Sequence, residues 1–218
     1  MATTVQVLRT LEEKVRPEHT ALVIVDMQND FAHPEGITAR EGGRDVTMNL
    51  SVIEPTNRLA AAMRAAGGLV VWIKTSTYPH EGSHSGPWVD ARSRASFSAL
   101  NICMEGSWGQ DILEQLHVVE DDITVKKHRY SAFTGTDLDN ILRGHGIKTI
   151  ITTGCSTNAC VESTLRAGFE LEYYIVVPED CCASWSVELH HATLANVKHR
   201  FGVVSNSDEL IGLLTATQ

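Results

Sequence analysis

Six short runs of nearly unbroken aliphatic residues recur along the chain, at 21–25, 69–73, 123–125, 148–153, 171–177 and 202–204. A strand with one wet face alternates apolar and polar residues. These runs do not alternate, so they read as strands covered on both faces, as in a parallel sheet. Helical patterns lie between most of them, at 51–66, 107–116, 136–144, 158–168, 185–199 and 207–214. Ser51 and Ser207 read as N-caps, and Gly67, Gly144 and Gly168 as C-terminal stops. The alternation predicts an α/β fold: a three-layer, doubly wound, mostly parallel sheet of about six strands with helices on both faces. The 218 residues suit a single domain spanning 1–218. The stretch 75–107 is long and rich in Gly, Ser, Pro and His, which suits a loop that touches substrate.

Composition narrows the function. A net charge of −9 without a basic block argues against nucleic acid and anionic membrane surfaces as partners. No apolar stretch approaches a membrane span, and the N-terminal residues lack a signal-peptide core. The five cysteines are an odd number without a Cys-x-x-Cys pair. They predict reduced thiols in a cytoplasmic protein, with Cys181 and Cys182 as small packing residues.

Ligands of open parallel sheets bind at the carboxyl ends of the strands. Three reactive residues fall at such ends. Asp26 follows the first run, in Asp26-Met-Gln-Asn-Asp-Phe31. Lys127 follows the third, in Lys127-His-Arg-Tyr-Ser-Ala-Phe133. Cys160 follows the fourth, in Gly154-Cys-Ser-Thr-Asn-Ala-Cys160. Cys160 is expected in the first turn of a helix, where unpaired N–H groups and the helix dipole favour a thiolate. A carboxylate beside a thiol can take its proton, and a lysine beside the carboxylate keeps it charged. Lys126 competes with Lys127, but adjacent strand residues point to opposite faces, so only one can meet Asp26.

Taken together, these three blocks resemble the isochorismatase-like cysteine hydrolase superfamily, over roughly residues 18–206. The 157–173 stretch, the Lys127 block and Gly106-Ser-Trp108 look most like its ureidoacrylate amidohydrolase branch. The resemblance implies Asp26 as general base, Lys127 as its electrostatic partner and Cys160 as nucleophile. It also implies a cis peptide at Cys155–Ser156 and an oxyanion hole made by the N–H groups of Ser156 and Cys160. The family pattern usually has an aliphatic residue at Cys155, read here as a tolerated small apolar side chain. Isochorismatase proper cleaves a vinyl ether and lacks the cysteine, so Cys160 argues for amide hydrolysis through a thioester. The register of the resemblance favours Lys127 over Lys126. It also implies a homodimer or homotetramer, for which the helix at 184–200, with Trp185, Leu189 and Leu194, offers a contact face.

The expected function is a cysteine-dependent hydrolase that cleaves the C–N amide bond of a small amide or ureido acid. A cyclic amide (lactam), an N-carbamoyl amine or a nicotinamide-like ring are alternative substrates. A non-catalytic binding protein on the same fold is the alternative from another class. Asn29, Trp88, Arg92, Tyr130 and Phe133 are the candidate substrate-binding residues. Trp72, Tyr78 and Trp108 are further aromatic candidates for the pocket wall, and Arg94 is an alternative fork for a substrate carboxylate. Arg129 reads as structural. His80, His84, His190, His191 and His199 invite a metal. The stretch 75–84 lacks the Asp-x-His spacing of the nicotinamidase zinc site, so no metal and no cofactor are expected.

Overall fold

The computed structural model describes residues 5–94 and 99–216. The strands are β1 (Thr20–Val25), β2 (Leu69–Thr75), β3 (Ile123–Lys127), β4 (Thr149–Cys155), β5 (Tyr174–Pro178), β6 (Cys182–Ala183) and β7 (Gly202–Ser205). They form one seven-stranded sheet in the order β3-β2-β1-β4-β5-β7, with β6 paired to the end of β4. Every pairing between these strands is parallel. The seventh strand, β6, has two residues, too short to show any periodicity.

Alternate residues of β1 enter different cores, which is why the run shows no polar positions. Leu22 and Ile24 pack with Leu59 and Met63 of the helix Ile53–Ala65 and with Leu210 and Leu214 of the helix Ser207–Ala216. Ala21, Val23 and Val25 pack with Leu138 and Leu142 of the helix Leu138–Gly144 and with Leu165 of the helix Glu162–Glu170. Burying such side chains contributes about 1.5–3 kcal/mol each.

Several expected boundaries move, for local reasons. Ser51 is not an N-cap. The turn Thr47–Ser51 is already helical, and a new helix starts at Ile53. Pro55 has no N–H to donate back to Ser51, so one continuous helix cannot form there. Ser207 is the first helical residue, and Asn206 Oδ1 accepts the Glu209 N–H in its place. Gly144 and Gly168 both lie inside helices, and the left-handed residues that follow those helices are Gly146 and Glu172. No helix occupies 107–116, only a 3-10 turn at Trp108–Gln110. The Leu113 N–H goes instead to Met27 O, and Ile112 bridges to Gln28. The long 75–107 connection contains a helix, Gly86–Arg92, and its residues 95–98 lie outside the described ones.

β1 is central: β2 and β3 extend the sheet on one side, and β4, β5 and β7 on the other. The chain reverses direction across the β1–β4 pair, which is where doubly wound sheets open a crevice. Val25 registers with Gly154, so Asp26 and Cys155 meet at the rim of that crevice. Thr75 registers with Lys127 on the other flank.

Candidate active site

Asp26 sits one residue beyond β1 with φ 53°, a left-handed backbone that a non-glycine residue adopts at a cost of about 1–3 kcal/mol. Its N–H donates to Ile73 O and its carbonyl accepts from Gln28 N–H, which hold the turn. Gln28 is buried and ties Thr75 down at both its N–H and its C=O. Lys127, the last residue of β3, is buried and reaches Asp26 Oδ2 at 2.7 Å. Its ammonium also donates to Thr75 Oγ1 and to Arg129 O, each at 2.9 Å, and lies 3.5 Å from Cys160 Sγ. Lys126 points the other way and pairs with Glu105 at the surface.

Cys160 lies in a π-helical turn, Thr157–Val161, that leads into the helix Glu162–Glu170. The peptide bond before this turn, Cys155–Ser156, is cis. Ala159 and Val161 donate their N–H groups to the Ser156 carbonyl, on either side of Cys160 in the chain. The Thr157 hydroxyl is anchored at 2.9 Å to Nδ1 of His190, which is buried.

The helix-start argument favours a thiolate, and the structure reverses that expectation. Burial pushes the Cys160 thiol up to about 12, the Asp26 carboxylate pushes it the same way, and Lys127 only partly opposes them. Together these influences favour the neutral thiol. For Lys127, burial works against the charge, but Asp26 and Cys160 outweigh it and hold the ammonium above its ordinary value.

Lys127 and Cys160 line a cavity of about 340 Å³, and Asp26 lies buried behind them. Arg44, Arg92, Arg94, Lys127 and Arg129 all line it, and among its described lining residues there is no Asp or Glu. On a chain of net charge −9, that concentrates positive charge where a ligand would enter. Trp88, Arg92 and Tyr130 line the cavity, as expected from the sequence. Arg92 lies 4.9 Å from the Trp88 ring centre, and Tyr130 packs on the same ring.

Other expected pocket residues lie elsewhere. Asn29 does not line the cavity, because its side-chain amide is spent on Trp108 O. Phe133 stacks on Tyr173 in the core beneath the helix Glu162–Glu170. Trp72 is core, and its indole donates to Asp122. Tyr78 rests on His128, and Trp108 meets His33 edge-on, both outside the cavity lining. Arg129 does both jobs: it ties Ser83 O and His128 O together and also faces the cavity. Leu194 is buried within its own core, so of the expected contact face Leu189 remains exposed and Trp185 half-buried. His190 is buried as well.

Sequence reasoning missed Thr75, Arg44, Phe31, Asn158 and Trp185. Thr75 was within reach, since it ends a strand beside Lys127. The others come from segments whose approach to the site depends on packing.

A doubly wound sheet with a buried carboxylate, ammonium and thiol converging at its carboxyl edge defines an enzyme, a hydrolase. The isochorismatase domain model matches residues 20–209. The chain is 34% identical to a ureidoacrylate amidohydrolase, RutB, of Acinetobacter baylyi, over all of this chain and 93% of the relative. It superposes on a cysteine hydrolase from Pseudomonas syringae pv. phaseolicola with a TM-score of 0.85 at 26% identity, covering 99% of this chain and 100% of that one. It superposes on an N-carbamoylsarcosine amidase from Thermoplasma acidophilum with a TM-score of 0.70 at 27% identity, covering 87% of this chain and 97% of that one. The chain belongs to the isochorismatase family.

Proposed function

We propose that this enzyme hydrolyses the C–N amide bond of a small amide or ureido acid, with Cys160 as nucleophile, Asp26 as general base and then acid, and Lys127 as their shared counter-charge. The observation that carries the reading is the buried contact set at the cavity floor: Lys127 Nζ lies 2.7 Å from Asp26 Oδ2 and 3.5 Å from Cys160 Sγ. The similarity to a ureidoacrylate amidohydrolase and the cationic cavity support the substrate class.

Because the thiol rests protonated, attack and proton transfer go together. The Sγ–C bond forms as the thiol proton passes to Asp26, and the carbonyl electron pair moves onto oxygen. The N–H groups of Ser156 and Cys160 hold that oxyanion. Collapse of the intermediate breaks the C–N bond, and Asp26 returns the proton to the departing nitrogen, leaving a thioester. Asp26 then takes a proton from water as the water attacks. The C–S bond breaks, the acid leaves and Cys160 regains its proton. Lys127 faces the negative charge of Asp26 before attack and again at the thioester, while in each tetrahedral intermediate that charge sits on the oxyanion.

The test is hydrolysis of a panel of succinamate, maleamate, N-carbamoyl amino acids, nicotinamide and a bicyclic lactam, read by ammonia release and, for the lactam, by chromatography of the ring-opened amino acid. Acyclic acids are expected to lead. Cys160→Ala and Asp26→Asn are each expected to lose on the order of 10³-fold or more, because the residues act as a unit. Near-normal turnover by Cys160→Ala would overturn the mechanism. A preference for ring amides would redirect the substrate assignment and leave the mechanism standing. Activity should survive dialysis against EDTA; loss with recovery on added zinc would move the reading to a metalloenzyme.

We also read the protein as a cytoplasmic homodimer or homotetramer. All five cysteines are free, Val187 and Leu189 are exposed, and Leu189 lines the cavity. Among the described residues no helix is long and apolar enough to cross a membrane. Light scattering that found only a 23.9 kDa species would refute the assembly.

A further inference from the structure

One arm of the cavity has no part in the chemistry above. Arg44 precedes the turn Thr47–Ser51, and its guanidinium carbon lies 4.9 Å from the centre of the Trp185 ring. The acidic residues near it in sequence are engaged elsewhere. Asp45 Oδ1 accepts the Thr47 N–H at 2.8 Å, and Glu41 pairs with Arg40 at 3.2 Å. Among the described residues, no ion pair joins Arg44 to a carboxylate. The Trp185 ring is braced by Phe31, with centroids 6.2 Å apart. Its indole Nε1 is buried and has no hydrogen-bond acceptor among the described residues. Buried indole N–H groups are normally paired, and this one is left without an acceptor by the described residues. Arg44, Trp185 and Phe31 all line the cavity.

The other arginines have different tasks. Arg129 holds two backbone carbonyls, and Arg94 pairs with Asp90 at 2.5 Å. Arg92 lies on Trp88, with Tyr130 packed on the same ring. A guanidinium laid on an aromatic ring keeps its edge free to present two parallel N–H groups to a carboxylate, and the ring serves as its platform.

We propose that Arg44 and Trp185 form the anion-recognition arm of this site, holding the carboxylate end of an amide acid while its amide lies on Cys160. The proposal rests on the amidohydrolase reading and adds the residues that choose acids over neutral amides.

Succinamate and butyramide make the test pair, since they share a four-carbon amide chain and only the first carries a carboxylate. The readout is the ratio of their kcat/KM values by ammonia release. Arg44→Met should lower that ratio on the order of 10- to 100-fold, mainly through KM for succinamate, the size expected for lost charge-assisted hydrogen bonds. Arg44→Lys should restore only part of it, because an ammonium lacks the fork. Arg44→Glu should reverse the preference. Trp185→Phe shrinks the ring on which the guanidinium lies, and should lower the ratio less than Arg44→Met does. Thermal melting checks that each variant folds. An unchanged ratio in Arg44→Met and Arg44→Glu overturns the arm. If the wild type releases ammonia from neither compound, that counts against the amidohydrolase reading, and calorimetry then decides the arm separately. Succinamate is titrated into Cys160→Ala and into Cys160→Ala with Arg44→Met. Weaker binding in the double variant upholds the arm, and equal or absent binding in both overturns it.

Discussion

The ammonium of Lys127 lies 2.7 Å from Asp26 Oδ2, and both side chains are only about 1% exposed. A buried ion pair is tolerated when further hydrogen bonds satisfy the charges, and here Thr75 Oγ1 and Arg129 O complete the ammonium. Taking away one partner leaves the other buried and uncompensated.

Lys127→Met is therefore expected to cost about 3–5 kcal/mol of stability and to abolish turnover. Lys126→Met removes only an exposed pair with Glu105 and should cost less than about 1 kcal/mol. Urea unfolding and ammonia release on both variants check this. Equal losses in the two would mean that the wrong lysine has been placed beside the base.

The pH dependence of Cys160 alkylation should distinguish a resting thiol from a resting thiolate. With the thiol pushed up to about 12 by burial and by Asp26, the thiolate fraction grows with pH throughout the accessible range. The rate of iodoacetamide modification at Cys160, located by peptide mass, should rise about tenfold per pH unit from neutral pH upward. A plateau at or below neutral pH would show a resting thiolate and contradict the order of proton transfer given above.

Gly154→Ala should disrupt both fold and site. Gly154 has φ 105°, and a Cβ there would fall 2.0 Å from Val25 O, which is backbone and cannot rotate away. The substitution should cost about 3 kcal/mol or more and spread β1 from β4, where Asp26 and Cys155 meet. A melting temperature within a degree or two of the wild type would refute this.

Asp122 should contribute stability that depends on pH. Burial works to raise its pKa, but bonds from Arg64, Trp72 and Val119 outweigh that and hold it below the ordinary value. A carboxylate lowered in the folded state stabilises above its unfolded pKa, and that contribution is lost as pH falls through the folded value. Asp122→Asn should therefore lose about 2 kcal/mol at pH 7, with the difference shrinking as the pH drops below the usual carboxylate range. Denaturation curves for both proteins at several pH values test it. A constant difference down to strongly acidic pH would show that charge plays no part.

Much of the fold was legible because its causes are local. Ala21, Leu22, Val23, Ile24 and Val25 carry no polar position, and a strand with two covered faces needs none. Cys182–Ala183 escaped notice because two residues show no period. The stretch 107–116 looked helical from its own pattern, yet Leu113 and Ile112 spend their backbone groups on Met27 and Gln28, which no local pattern reveals.

The sequence by itself determined the doubly wound sheet and brought Asp26, Lys127 and Cys160 to one edge, because parallel strands deliver their carboxyl ends to the same side. Only the tertiary structure decided what surrounds them. Phe133 left the expected pocket because its ring found Tyr173. Asn29 left it because its amide found a carbonyl. Arg44 and Trp185 entered it from segments far apart in the chain. The surroundings of Cys160 arose the same way: position at the start of a helical turn favours a thiolate, whereas burial beside Asp26 works against it, and burial is a property of the assembled core.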